Sequence, residues 1–286
     1  NNNGSFTAIG AAYNIPSGDI HVPADAPTIQ VAIDIATDGK TIVVAPGEYF
    51  ENIEIPSKSG ITLKSSSGPQ TTIINGGGLG TVIKSVCCQS DFTLDGFTIT
   101  GGNGEYGGNI SGINTSSWNN STFKNLIITG NEYGVPFQAS PFSNTYENIA
   151  IVRNSNGTSH DGNAALYIYG GGSDGDYCVL KNVTIADNDG MYGISYHGVE
   201  NEIDLNIINS VIWNNQQQNA DAQIVFGHGP NNPSYTINVR NSLVEGGADA
   251  ISYSSEGQNN ASVQWDSSNL TSYPYFNDPD NGDYSL

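Results

Sequence analysis

One short phrase returns across the second half of the chain: KNLIITGN at 124–131, ENIAIVRN at 147–154, KNVTIADN at 181–188, INSVIWNN at 208–215 and RNSLVEGG at 240–247. A variant, DGFTITGG, precedes them at 95–102. Aligned on Asn125, Asn148, Asn182, Asn209 and Asn241, the copies lie 23, 34, 27 and 32 residues apart. An irregular period of this size in β-rich units signals a solenoid, because each unit buries its apolar face only against its neighbours. Apolar pairs follow each asparagine: Leu126/Ile128, Ile149/Ile151, Val183/Ile185, Val211 or Ile212, and Leu243/Val244. Stacked coils place the asparagines in a column whose side-chain amides bond one another, as in other in-register asparagine ladders. These residues therefore read as scaffold.

A second strand follows in each unit: NISGI (109–113), VPFQA (135–139), LYIYG (166–170), ISYHG (194–198), IVFGH (224–228) and ISYSS (251–255). Period-two alternation makes Val135/Phe137, Leu166/Ile168, Ile194/Tyr196, Ile224/Phe226 and Ile251/Tyr253 the inward pairs. In front of the repeats, APTIQVAIDIATDGK carries Ile29, Ala32, Ile33 and Ala36 at helical spacing, with Pro27 near the start and Gly39 as a stop. It reads as a short amphipathic helix that closes the N-terminal end of the core. The tail, YPYFNDPDNGDYSL, is expected to cover the other end. The domain reading is a linker at 1–19, then one β-helix domain at 20–286, with a helical cap at about 27–38 and a C-terminal capping segment at about 265–286. By the period of solenoid units, about eight to ten coils are expected.

Charge narrows the partners. With 28 acidic against 8 basic residues the formal charge is −20, so a nucleic acid is excluded for want of phosphate-neutralising side chains. Anionic membrane surfaces are disfavoured likewise, and no apolar run reaches the 18 residues of a membrane-inserted span. The opening NNNGSFTAIGAAYN reads as a linker left after processing. Cys87, Cys88 and Cys178 are too few and odd in number for a disulfide framework, although a vicinal Cys87–Cys88 bond stays open. Abundant Asn, Gly, Ser and Tyr point to an extracellular protein.

VPADAPTIQVAIDIATDGKTIVVAPGEYFENIEI, GPQTTIINGGG and LDGFTITGG resemble the right-handed parallel β-helix family of secreted pectin-lyase-like proteins. The closing PYFNDPDNGDYSL is similar to the end of the choice-of-anchor Q type β-helix proteins of bacterial surfaces. The resemblance covers about residues 20–286. It implies an all-β, single right-handed parallel β-helix with a short N-terminal capping α-helix, placed outside the cell or on a bacterial cell surface. It also implies a protein that acts on, or adheres to, polysaccharide or cell-surface glycan.

The turn after the asparagine strand carries Glu105, Glu132, Asp161, Asp189, Asp221 and Asp249, which stacking would align about 5 Å apart. Each has a bland reading as a turn cap. The outward positions of the next strand supply Gln138, Tyr167, Tyr169, Ser195 and His197, with His228 just beyond and His160 beside Asp161. Tyrosines on a flat sheet are stacking platforms for sugar rings, and imidazoles and carboxylates bond hydroxyls or move protons. The sequence favours extracellular polysaccharide processing by a glycoside hydrolase, ahead of a lyase or a binding module; such an enzyme needs two carboxylates about 5 Å or 6.5–9.5 Å apart. In that reading Asp161 and Asp189 are the acid/base pair, Asp221 is the alternate, and His160, His197 and His228 orient substrate or tune the acids. GHG at 227–229 is similar to a motif of β-helix glycosidases, whose paired-Asp motif is missing. A polysaccharide lyase is the enzymatic alternative, with Arg153, or Tyr169 and His197 with Ca²⁺, serving a uronate. A carbohydrate-binding module uses the same Tyr, Gln and His face. No cofactor is required; Ca²⁺ stays open, zinc lacks its ligand spacing, and DPDNGD at 278–283 reads as a terminal turn.

Overall fold

A computed structural model describes residues 16–86, 89–105, 109–115, 118–140, 142–156, 163–170, 177–198, 204–216, 222–228, 235–253 and 261–286. Every pairing between its named strands is parallel, and the chain winds into a right-handed parallel β-helix with three faces, the hand that parallel crossovers take. The first face stacks ten strands, from Ile20–Val22 through Thr41–Val44 and Thr62–Ser65 to Tyr235–Arg240 and Ala261–Trp265. The second runs from Gly47–Phe50 through Thr72–Asn75 and Thr98–Thr100 to Val211–Trp213 and Leu243–Val244. The third stacks eight strands, from Ile53–Ile55 to Ile251–Tyr253. These make eight three-faced coils with a partial turn at each end, within the range the period predicts.

In the middle coils the first and second faces share one strand, such as Asn144–Val152 or Tyr177–Ala186, bent at a single residue. That residue is the repeated asparagine. Asn125, Asn148, Asn182, Asn209 and Asn241 all hold φ between 48° and 55°, the left-handed region that asparagine tolerates better than most side chains. Gly96, at φ 88°, makes the same corner one coil earlier. Inward residues alternate as expected, except that Leu243, read with Val244 as a core pair, faces outward beside Val211; the rest fill one core cluster that extends from Ile20 to Ile251. Inside it Phe92, Trp118, Phe123 and Tyr146 form an aromatic column, with ring centroids 4.6 to 5.3 Å apart. Cys178 is fully buried there, and burial pushes its thiol up to about 12.

The expected helix is α1, Ile29–Ile35, with Thr28 accepting from the Val31 N–H as its N-cap. Glu51 adds a second cap: its two carboxylate oxygens accept from the Ile29 and Gln30 N–H groups at 2.9 and 2.8 Å. Ile29, Ala32 and Ile33 are buried against the first coil, so the helix closes that end. Among the described residues no helix is long and apolar enough to cross a membrane.

The closing segment departs from expectation. Leu270 still completes a turn, pairing with Leu243. Residues 276–285 then fold back along the side of the solenoid instead of over its end. Phe276 and Tyr284 pack on Val152, Ala186, Val211 and Leu243, outward residues of the second face. The reason is local: that face is apolar on its outer side as well, and the tail removes it from water.

Candidate functional site

Two asparagine columns fix the register on which any surface site depends. In the exposed one, the Nδ2 of Asn148 donates to Asn125 Oδ1 at 3.2 Å, Asn182 to Asn148 at 2.9 Å, and Asn209 to Asn182 at 2.6 Å. Asn125 starts the ladder by donating to Asp95 at 2.7 Å. Asn241 occupies the next corner, since Ile208 pairs with Arg240 and Val211 with Leu243. Lys124 and Lys181, beside the ladder, bind Asp95 and Glu147 at 3.4 and 2.7 Å and are structural.

The second column is buried. Asn131 donates to Asn154 at 3.0 Å, Asn154 to Asn188 at 2.9 Å, Asn188 to Asn215 at 2.8 Å, and Asn215 to Gln223 at 2.9 Å. Each Oδ1 also accepts a backbone N–H from the preceding coil, as Asn154 does from Asn131 and Asn188 from Asn154. The sequence reading passed over this ladder although its residues close four of the quoted phrases. The signal was a second asparagine six positions after the first.

On the third face the register aligns Gln138 with Tyr167, Tyr167 with Ser195, and Tyr169 with His197. All point outward, while Phe137, Leu166, Ile168, Ile194 and Tyr196 are buried. Tyr169 is 41% exposed and stands between two rings: Tyr167 at a centroid distance of 5.8 Å, and His197, stacked at 5.6 Å and 28°. Ser195 is only 9% exposed, so it forms the floor between rings. Gly227 pairs with His197 on the next coil, and a Cβ there would fall 2.9 Å from His197 Nδ1. The glycine of the GHG motif therefore leaves room for the imidazole. His228 continues the same strand, aligned with Gly198.

The acids are arranged differently from the expected line. Asn103, Glu132, Ser155, Asp189 and Gln216 pair in sequence at one corner. Glu132 and Asp189 are thus in register but two coils apart, about 9.5 Å at the usual strand spacing, with Ser155 between them. Asp161, His160 and Asp221 lie outside the described residues. Asp189 precedes the strand Tyr192–Gly198, and His197 stands near the far end of that strand, about 16 Å beyond Tyr192. The structure therefore brings the aromatic residues together and sets Asp189 apart from them. Asp189 shares with Arg153 a cleft of ≈ 480 Å³ under the folded-back tail, together with Asp187, Asp280 and Tyr284. There Arg153 donates to the Asp280 carbonyl at 3.0 Å, and Asp187 accepts from Asn214 at 2.6 Å and from the Tyr284 hydroxyl at 2.7 Å. Burial, and then the Asp187 carboxylate, hold the Tyr284 phenol well above its ordinary range. Among the described residues no group of three or more His, Cys, Asp or Glu is placed to hold a metal ion.

No protein-family model matches the chain. A cell surface glycoprotein of Methanothermus fervidus is 37% identical over 108 residues, which is 37% of this chain and 17% of that protein's length. Among solved structures, the pectin methylesterase of Aspergillus niger is 17% identical, with 90% of this chain and 86% of that chain covered at a TM-score of 0.46. The rice weevil pectin methyl esterase is 12% identical, with 89% and 88% covered at a TM-score of 0.49. Similarity at this level assigns neither an activity nor a residue to this chain.

Proposed function

We propose that this chain is a glycan-binding β-helix that works outside the cell or at the cell surface, with its contact surface on the outer side of the third face. The observation that carries the reading is the ring cluster of Tyr167, Tyr169 and His197 on a flat parallel sheet. Adjoining rings, two on one strand and one on the next coil, present apolar surface to the C–H side of sugars, while Gln138 and the ring polar atoms meet hydroxyls. The partner class is polysaccharide or cell-surface glycan. The surface location is supported by the name of the Methanothermus relative and by the closing PYFNDPDNGDYSL, on which we also base membership of the choice-of-anchor Q type.

One observation favours hydrolysis as a second reading: Glu132 and Asp189, in register two coils apart, approach the separation used by inverting glycosidases. In it Asp189 is the acid or base, Asp161 and Asp221 are further candidates, and His160, His197 and His228 tune or orient. Lyase chemistry would draw on Arg153, which the tail carbonyl of Asp280 already engages.

A glycan panel scored for affinity, new reducing ends and alkene absorbance separates the three. Saturable binding without either product is expected. Reducing ends that vanish in Asp189→Asn would replace binding with hydrolysis, alkene would replace it with lyase chemistry, and a panel with no ligand would remove the glycan reading.

A further inference from the structure

We propose that the groove along the exposed asparagine ladder is a second binding site, for an extended neutral glycan chain, on a different side of the molecule from the ring cluster. It takes its ligand class from the reading above but none of its residues. The groove encloses ≈ 920 Å³. Its floor is the row of Asn125, Asn148 and Asn182, with Ile127, Ala150 and Thr184 beside them. These two rows are in register coil by coil. One wall is the turn at 65–70, whose shape is set by Ser65 Oγ accepting from the Ser67 and Gly68 N–H groups. The other wall is the tail at 282–285, which the Tyr284–Asp187 hydrogen bond fastens to the solenoid.

The chemistry of the floor selects the ligand. A side-chain amide carries two N–H donors and two acceptor sites. The ladder uses one donor and one acceptor of Asn148 and of Asn182, leaving one of each per coil for a ligand. Two rungs, about 9.6 Å, lie close to the two-ring repeat of a β-1,4-linked chain, whose alternate rings turn over, so its hydroxyls meet the floor amides at every second ring. The ledge of Ile127 and Ala150 suits the C–H faces of the same rings. An extended peptide, repeating every two residues at about 6.6–6.8 Å, falls out of step with the rungs. Among the described residues no Lys or Arg lines the groove; Asp283 does, as does Asp95, which Lys124 pairs, and the chain carries a formal charge of −20. An anionic chain is repelled and a neutral one is not.

The test titrates the full chain with cellohexaose, xylohexaose and mannohexaose. Asn148→Gly removes one rung yet keeps the corner, because Gly96 already makes that corner with φ 88°. Ile127→Trp narrows the groove at a floor position that does not pack on the tail cluster and removes no ladder amide. We expect at least one hexaose to lose about tenfold in affinity in Asn148→Gly, and to lose binding in Ile127→Trp, with the component retained in Tyr169→Ala. In the unmodified protein the side-chain amide resonances of Asn125, Asn148 and Asn182 should move with that hexaose, a readout that needs no variant. Binding unchanged by both groove variants, unmoved ladder resonances, or no binding of any hexaose overturns the proposal. Loss in Tyr169→Ala alone would uphold the third-face site and overturn this one; loss in the groove variants with binding kept in Tyr169→Ala upholds this site and leaves the third-face reading to the glycan panel.

Discussion

At the scale of single residues, the two asparagine columns look alike in the sequence and differ in energetic weight. Asn154 is buried, and its amide answers the Asn131 backbone, the Asn131 side chain, two carbonyls and Asn188. Removing it strands several polar groups away from water, at about 1–3 kcal/mol for each left unsatisfied. Asn154→Ala should therefore destabilise by roughly 2–4 kcal/mol, whereas Asn148→Gly, exposed and conformationally matched, should cost about 1 kcal/mol or less. Denaturant midpoints of the two variants check the ordering, and equal shifts would contradict it. Cys178 offers a second residue-scale test. A fully buried thiol held up at about 12 is protonated and inaccessible at neutral pH. With Cys87 and Cys88 replaced by serine, it should resist alkylation until the protein unfolds; reaction at the rate of a free thiol would disprove that burial.

At the scale of elements, the ends and the side of the solenoid are closed by different devices. The helix α1 depends on Glu51, which binds two of its four free N-terminal N–H groups. Glu51→Ala should cost about 1 kcal/mol and speed amide exchange in α1 ahead of the strands; unaltered exchange would refute the capping role. The folded-back tail depends on Tyr284, whose phenol is kept protonated above its ordinary range near 10.0. Between the unfolded value and that raised value the folded state holds a proton the unfolded state has lost. The tail's contribution is thus complete below about pH 10 and is lost as pH rises through the folded value. Quenching or exchange measured at 276–285 should show release on alkaline titration, and Tyr284→Phe should abolish the pH dependence. A tail equally protected at every pH would contradict the assignment.

At the scale of the whole molecule, the architecture was legible because stacking imposes one rule on every coil. The phrase around Asn125, its recurrence, the helical spacing of Ile29, Ala32 and Ile33, and the alternation in LYIYG and ISYHG each report a local constraint, and the fold is their repetition. The ring cluster was legible for the same reason: Tyr167, Tyr169 and His197 occupy outward positions of adjacent coils. What escaped the sequence depends on where the chain returns. Ser155, not an acid, stands between Glu132 and Asp189: all three lie seven residues after their ladder asparagine and share one register, whereas Asp161 and Asp221 follow theirs by thirteen and twelve residues. The tail's path along the second face, and the groove it walls, join residues far apart in the chain, such as Asp187 and Tyr284, 97 positions apart. No period connects them. The proposed glycan surfaces are outward columns that only register creates, and the third-face column carries Tyr167, Tyr169 and His197. The most direct measurement is the affinity of the preferred panel glycan for Tyr169→Ala and Tyr169→Phe beside the unmodified chain. The account predicts about tenfold weaker binding for alanine and near-native binding for phenylalanine, since the ring face makes the contact. Native affinity in Tyr169→Ala would contradict it.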